Sequence, residues 1–317
     1  MTAPYRSLRS ALTALAALLA LPAVQVQAQT SDQALQTHHV AGPAYAIQGP
    51  FGNRTAENLG NNATFGFIVT EAGVVLIDSG GTYKGAAAID EQIRTVTDQP
   101  VRWVINTGGQ DHRWLGNGYF KSRGATLIAN TGAVADQKAR VQDQFFRLGE
   151  LAGAAALEGT EPVYAGETFE TQHVLEAGGV RLEIHHAGQA HTPGDSFVWL
   201  PEHKVMFSGD IVYVGRMLGV MDHSNSRSWM AAFEAMAAFE PEHLVPGHGP
   251  VTTLETARAD SYAYLSFLRE SVEAFMDAGG TIDSIGEIDQ SRFAYLNAYD
   301  SLKGRNIQQV FQEMEWE

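Results

Sequence analysis

The chain has 317 residues, 44% of them hydrophobic, enough for one large globular core and too many for a disordered chain. Its formal charge of −15 makes it a poor partner for nucleic-acid phosphates or an anionic membrane surface. It has no cysteine, which excludes disulfides, thiolate metal ligands and a lipid-modified N-terminal cysteine.

Residues 1–28 carry Arg6 and Arg9, then an Ala/Leu-rich run, then Val26-Gln27-Ala28 as a small-x-small cleavage site. The pattern predicts a signal peptide cleaved after Ala28, and so a periplasmic or secreted product. The apolar run from Ser10 to Val24 is shorter than the roughly 20 residues needed to span a bilayer. Cleavage takes the formal charge from −15 to −17. Residues 29–39 read as a linker.

From there strands and helices alternate. Phe65 to Asp78, "FGFIVTEAGVVLID", reads as two strands joined at Ala72-Gly73. Ile89, Ile93 and Val96 fall at helical spacing, and "VRWVIN" returns to strand composition after Pro100. Val104 to Phe120 then reads "VINTGGQDHRWLGNGYF", an apolar strand running through a polar turn into a helix start. "GATLIAN" is a further strand, and Gly132 to Gly159 a long helical region. "GVRLEIHHAG", "DSFVWLPEHKVMFSGD" and "HLVPGHG" are strands, and from Thr252 onward the pattern is helical.

The chemistry-bearing residues stand where strands end: Asp78, Asp111-His112, His191, Asp210 and His248, each beside a glycine-containing turn. Imidazole and carboxylate without thiolate is the ligand set of a divalent ion such as zinc. A single Asp or His at a loop tip is usually a turn former or a cap; five in this order point to one site.

In Asp78, the frame Asn106-Thr107 to Gly116-Asn117, "GQAHTPGDS", "FSGD" and "PGHG", the chain resembles the metallo-β-lactamase superfamily. The resemblance implies a four-layer αββα sandwich of the α/β class over residues 40–251, with 252–317 as a C-terminal helical extension packed on it. It also implies a metal-dependent hydrolase of an ester, thioester, amide or lactone acting on a small-molecule substrate. The alternative is a catalytically silent relative that binds a ligand or partner.

The family's His-x-His-x-Asp-His run is degenerate here. A gap-free register puts Gly108 and Gln110 at the first two histidines, His112 at the aspartate and Arg113 at the last histidine. A register slipped by one residue matches Asp111-His112 to the family's Asp-His, leaving Thr107 and Gly109 at the histidine positions, and is favoured because an arginine should repel the ion. The expected metal ligands are then Asp111, His112, Asp210 and His248 around one zinc, with His191 left from the weakened first site; iron is less favoured. Asp111 and Gln110 are the catalytic candidates, and Asp78, Arg113, Asp222 and His223 the supporting or substrate-contacting ones. One zinc can lower the pKa of a bound water to about 7.

Overall fold

A computed structural model describes residues 1–2 and 34–317 of the chain. The expected signal peptide therefore lies, but for its first two residues, outside the described residues. Among those described, no helix is long and apolar enough to cross a membrane.

Seven strands form the first sheet, adjacent in chain order: β1 (Gln36–Ala41), β2 (Ala44–Gln48), β3 (Thr64–Thr70), β4 (Gly73–Ile77), β5 (Val101–Asn106), β6 (Thr126–Asn130) and β7 (Glu167–Phe169). The expected linker thus ends early, because residues 36–39 already pair antiparallel with β2. The first four strands are antiparallel, while β4 to β7 run parallel. The second sheet has β8 (Gln172–Ala177), β9 (Val180–His185), β10 (Phe197–Leu200), β11 (Val205–Phe207) and β12 (His243–Val245), with only β11 and β12 parallel.

The helices are α1 (Tyr83–Arg94), α2 (Asp111–Trp114), α3 (Asn117–Lys121), α4 (Thr131–Ala152), α5 (Ala154–Leu157), α6 (Ser226–Ala237), α7 (Leu254–Ala257), α8 (Ala263–Asp277) and α9 (Tyr299–Met314). Helix α1 starts where Thr82 accepts from the Gly85 amide, and buries Ile89 and Ile93 on one face. Those two pack with Phe65, Phe67, Leu76, Val104 and Phe120 on the outer side of the first sheet. Between the sheets lie Ile68, Val75, Ile105, Leu182, Val198 and Phe207. Phe197, Trp199 and Met206 face the other way, into a core completed by Trp229 of α6, Leu265 and Leu268 of α8 and Val310 of α9. Helices therefore cover both outer faces of two packed sheets, the αββα sandwich, because the central strands β3, β4, β10 and β11 carry apolar side chains on both sides.

The C-terminal helices share a core with the second sheet and also hold the segment that follows Asp210. The Tyr213 amide donates to Ser261 Oγ at 2.8 Å, Gly215 to Asp260 Oδ2 at 2.8 Å, Met217 to the Asn297 carbonyl at 2.9 Å and Val220 to Asn306 Oδ1 at 2.9 Å. Asp260 and Ser261 reach inward from a π-helical widening at Arg258–Tyr262, of the kind often found beside functional sites.

Candidate metal centre

Strands β4, β5, β11 and β12 end at one edge of the sandwich, and their following loops carry Asp78, residues 107–114, Asp210 and His248. Binding residues belong there because loops at strand ends bring side chains together on a rigid support. Asp78 follows β4 in left-handed backbone, φ 68°, a conformation aspartate tolerates better than most residues. Its carboxylate accepts from the Thr107 amide at 2.7 Å and from Thr107 Oγ1 at 2.8 and 3.0 Å.

Arg113 is fully buried and all five of its N–H groups have acceptors. Nε donates to Asp210 Oδ2 at 3.2 Å and Nη2 to Asp210 Oδ1 at 2.7 Å. Nη1 donates to Asp78 Oδ2 at 2.9 Å and to the Thr64 carbonyl at 3.2 Å, and Nη2 also reaches the Gly247 carbonyl at 2.9 Å. Against the upward push of burial, Arg113 and then His112 hold Asp210 well below the usual carboxylate range. One guanidinium thus offsets two buried carboxylates, and one negative charge is left beside two histidines.

Those histidines are His112 and His248. One ligand atom from each of His112, Asp210 and His248 lies within 4.8 Å of the other two. His112 Nε2 is 3.4 Å from Asp210 Oδ2, and His248 Nε2 is 3.3 Å from Oδ1. Two ligands about 2.0–2.1 Å from a tetrahedral zinc stand roughly 3.3 Å apart, so these spacings fit one ion. His248 Nδ1 lies 2.9 Å from the Asn62 carbonyl, which can only accept, so Nδ1 carries the proton and Nε2 offers its lone pair. Burial also holds His248 neutral, well below its ordinary pKa. His112 Nε2 is buried with no hydrogen-bond partner among the described residues, the condition of a ligand atom awaiting an ion. Tyr213 stacks on the His248 ring at 4.5 Å and fixes its plane.

Asp111 is not part of this cluster, which corrects the slipped register. It begins α2, where Oδ1 accepts from the His112 amide at 2.7 Å and from Arg54 Nε and Nη2 at 3.0 and 2.5 Å. The carboxylate is turned toward Arg54 and the start of its own helix; despite the upward push of burial, Arg54 keeps its pKa low. Its link to the cluster runs through His112, whose Nδ1 is 3.2 Å from Oδ1. Arg54 Nη2 offers a proton to the same Nδ1 at 2.9 Å. Only the tautomer in which Nδ1 donates to Asp111 leaves Nε2 free to bind metal. Asp111 and Arg54 thus meet at His112 Nδ1 as acceptor and donor, and the objection to Arg113 lapses because its charge is spent on Asp78 and Asp210.

The other half of the degenerate motif is filled. A Cβ on Gly108 would collide with Oδ1 of Asp195, and one on Gly109 with Oδ2 of Asp136, so glycine is what lets the loop pass. Asp195 accepts from the Thr192 amide at 2.8 Å and from Thr192 Oγ1, and burial followed by the charge of Asp210 pushes its pKa up to about 8. Gln110 lies 3.3 Å from Asp111 Oδ1 and 3.5 Å from Arg140 Nη1, so it braces the wall of the site.

His191 is buried, with Nδ1 2.9 Å from the Gly219 carbonyl and Nε2 left unprotonated. It stands outside the three-residue cluster but lines the same cavity, of about 270 Å³, as His112 and His248. Asp222 and His223 also line it, with His223 Nδ1 2.8 Å from Asp222 Oδ1 and His223 Nε2 buried and unpartnered among the described residues. Two arginines in this wall, Arg54 and Arg216, were not anticipated. The available signal was Arg216 as the one charge in the apolar run "IVYVGRMLGVM".

The chain's residues 60–248 match the family model described as the metallo-beta-lactamase superfamily. A metallo-beta-lactamase type 2 from Elizabethkingia meningoseptica is 25% identical over 190 residues, which are 57% of this chain and 67% of that protein. A solved metallo-beta-lactamase from Pontibacter korlensis superposes with a TM-score of 0.59 at 19% identity, covering 73% of this chain and 99% of that one. The stereoselective inverting sec-alkylsulfatase Pisa1 from Pseudomonas sp. superposes with a TM-score of 0.67 at 18% identity, over 88% of this chain and 50% of that one. With most of the sandwich inside the matched residues, the chain belongs to the metallo-beta-lactamase superfamily.

Proposed function

We propose that the protein is an exported metallohydrolase of an ester, thioester, amide or lactone that works with one zinc held by His112, Asp210 and His248. The observation that carries this reading is the pair of 3.3 and 3.4 Å imidazole-to-carboxylate spacings around the unpartnered His112 Nε2. A zinc ion bound there supplies Lewis acidity and an acidified water at neutral pH.

The protein's own groups do the rest. Asp210 keeps its charge because Arg113 holds it ionised, and His248 keeps its Nε2 lone pair because Asn62 takes the Nδ1 proton. With an ion bound at Nε2, Asp111, 3.2 Å away, would take the His112 Nδ1 proton against the competing Arg54 donor at 2.9 Å. His223, with Nδ1 against Asp222 and an unpartnered Nε2 in the cavity wall, would serve as the general base and acid of the hydrolysis. Export is supported by the signal-like residues 1–28, and a mature N-terminus at Gln29 checks it.

The direct test is metal analysis of the purified protein. About one zinc per chain, lost on Asp210→Ala together with ester hydrolysis, supports the reading. A protein that takes up no zinc sinks it. The second reading, a silent binding protein, draws on Asp195 filling the space beside Gly108. It is favoured by a zinc-loaded protein that turns over no ester, thioester, amide or lactone.

A further inference from the structure

Arg216 lies on the wall of the same cavity and is only 9% exposed, yet among the described residues it pairs with no carboxylate. Its Nε is buried without a partner. Its Nη1 sits 3.2 Å from His248 Nδ1, but that nitrogen carries the proton given to the Asn62 carbonyl and cannot accept a second. So this guanidinium has donors in the cavity and nothing of opposite charge to meet them.

The rest of the wall is also rich in arginine, although Arg54 is paired with Asp111 and Arg140 with Asp136. Arg54, Arg140, Arg147 and Arg305 also line the cavity. Of its acidic residues, Asp111 is committed to Arg54, Asp222 is paired with His223, and Asp143 is exposed. A chain with 36 acidic and 21 basic residues has therefore gathered five arginines around one small cavity. A buried, unpaired cation is costly in an empty protein and is compensated when an anion arrives.

We propose that the cavity selects a substrate bearing an oxyanion, and that Arg216, with Arg54 beside it, seats that group next to His112 and His248. This rests on the hydrolase reading and narrows it to anionic esters, thioesters, amides or lactones. Phosphate, sulfate and carboxylate share the required chemistry. The planar fork of a guanidinium binds each through paired N–H donors, which an ammonium does not reproduce. The exposed Arg147 and Arg305 draw the anion toward the mouth against the protein's overall negative charge.

The test is calorimetric titration of the full chain with inorganic phosphate, sulfate and acetate in chloride-free buffer, on both the zinc-loaded and the chelator-stripped protein. Wild type should bind at least one of the three anions in both forms, and the preferred one names the substrate's anionic group. Arg216→Met should weaken binding at least about tenfold at unchanged zinc content. Arg147→Glu, at an exposed position, should weaken it about two- to fivefold and strengthen its salt dependence. Equal affinity in wild type and Arg216→Met overturns the proposal, as does a folded wild type that binds none of the three. Should Arg216→Met fail the circular-dichroism check for folding, Arg216→Lys and Arg147→Glu decide, and unchanged affinity in both overturns it. Anion binding without zinc uptake would remove the hydrolase reading and leave this site standing.

Discussion

Arg113 grips both oxygens of Asp210, at 2.7 and 3.2 Å, while His112 and His248 approach the same two oxygens at 3.4 and 3.3 Å. The carboxylate is thus shared between a permanent cation and two imidazoles. Removing the cation leaves Asp78 and Asp210 buried and uncompensated. Arg113→Met should therefore lower unfolding free energy by about 3–5 kcal/mol in urea titrations. Arg113→Lys should recover little of it, since three donors cannot serve the acceptors that five now reach. A loss below about 1 kcal/mol, the level of a surface ion pair, would show that the network is not holding the site together.

Asp111 acts on metal only through His112. Asp111→Asn leaves the three proposed ligands in place but exchanges the charged acceptor beside His112 Nδ1 for a weaker, neutral one. Zinc affinity, measured by competition with a chromophoric chelator, should fall about 10- to 100-fold while stoichiometry at saturating zinc stays near one. Were Asp111 itself a ligand, its loss would abolish binding outright. Unchanged affinity would mean that Asp111 has no part in positioning His112.

Acid should destabilise the fold through His191. Burial depresses its pKa from 6.5 to about 3, so the folded protein keeps it neutral while the unfolded chain takes up a proton. The unfolded state then binds more protons between pH 6.5 and about 3, and stability falls as pH falls through that window. Each unit of depression is worth about 1.4 kcal/mol. His191→Gln should flatten the drop in midpoint denaturant between pH 6.5 and 4. An equally steep drop in the variant would place the acid sensitivity elsewhere.

A histidine restored at position 108 should not restore a second metal centre. Gly108→His drives its Cβ into Asp195, which Thr192 already holds from its amide and hydroxyl. The variant should lose about 1–3 kcal/mol of stability, the usual cost of overpacking, and still bind no more than one zinc. Two tightly bound ions would show that Asp195 yields its place readily.

Most of the fold could be read from the sequence because its signals are local. Ile89 and Ile93 mark α1 by their spacing, and the alternation ending at Ile77 marks the β3–β4 pair. Asp78, Asp210 and His248 were legible because each stands where an apolar run stops. Asp111 misled because a carboxylate next to a histidine is good ligand chemistry, while what turns it away is Arg54, 57 residues earlier. Arg216 carried only the weak signal of a lone charge in an apolar run, since the anion-poor pocket around it is assembled from separate segments. The boundary drawn at residue 39 failed for a related reason: β1 is polar on its exposed edge, and its partner β2 decides that it is a strand.

The segment that carries Arg216 hangs from Asp260, Ser261, Asn297 and Asn306, all beyond the residues matched by the family model. Arg216 thus sits in sequence among the residues proposed to hold the ion, yet the backbone on either side of it is hung from residues 260–306. On the proposed reading, changes after residue 250 would shift Arg216 with every ligand left untouched, so substrate preference could drift while the chemistry is kept.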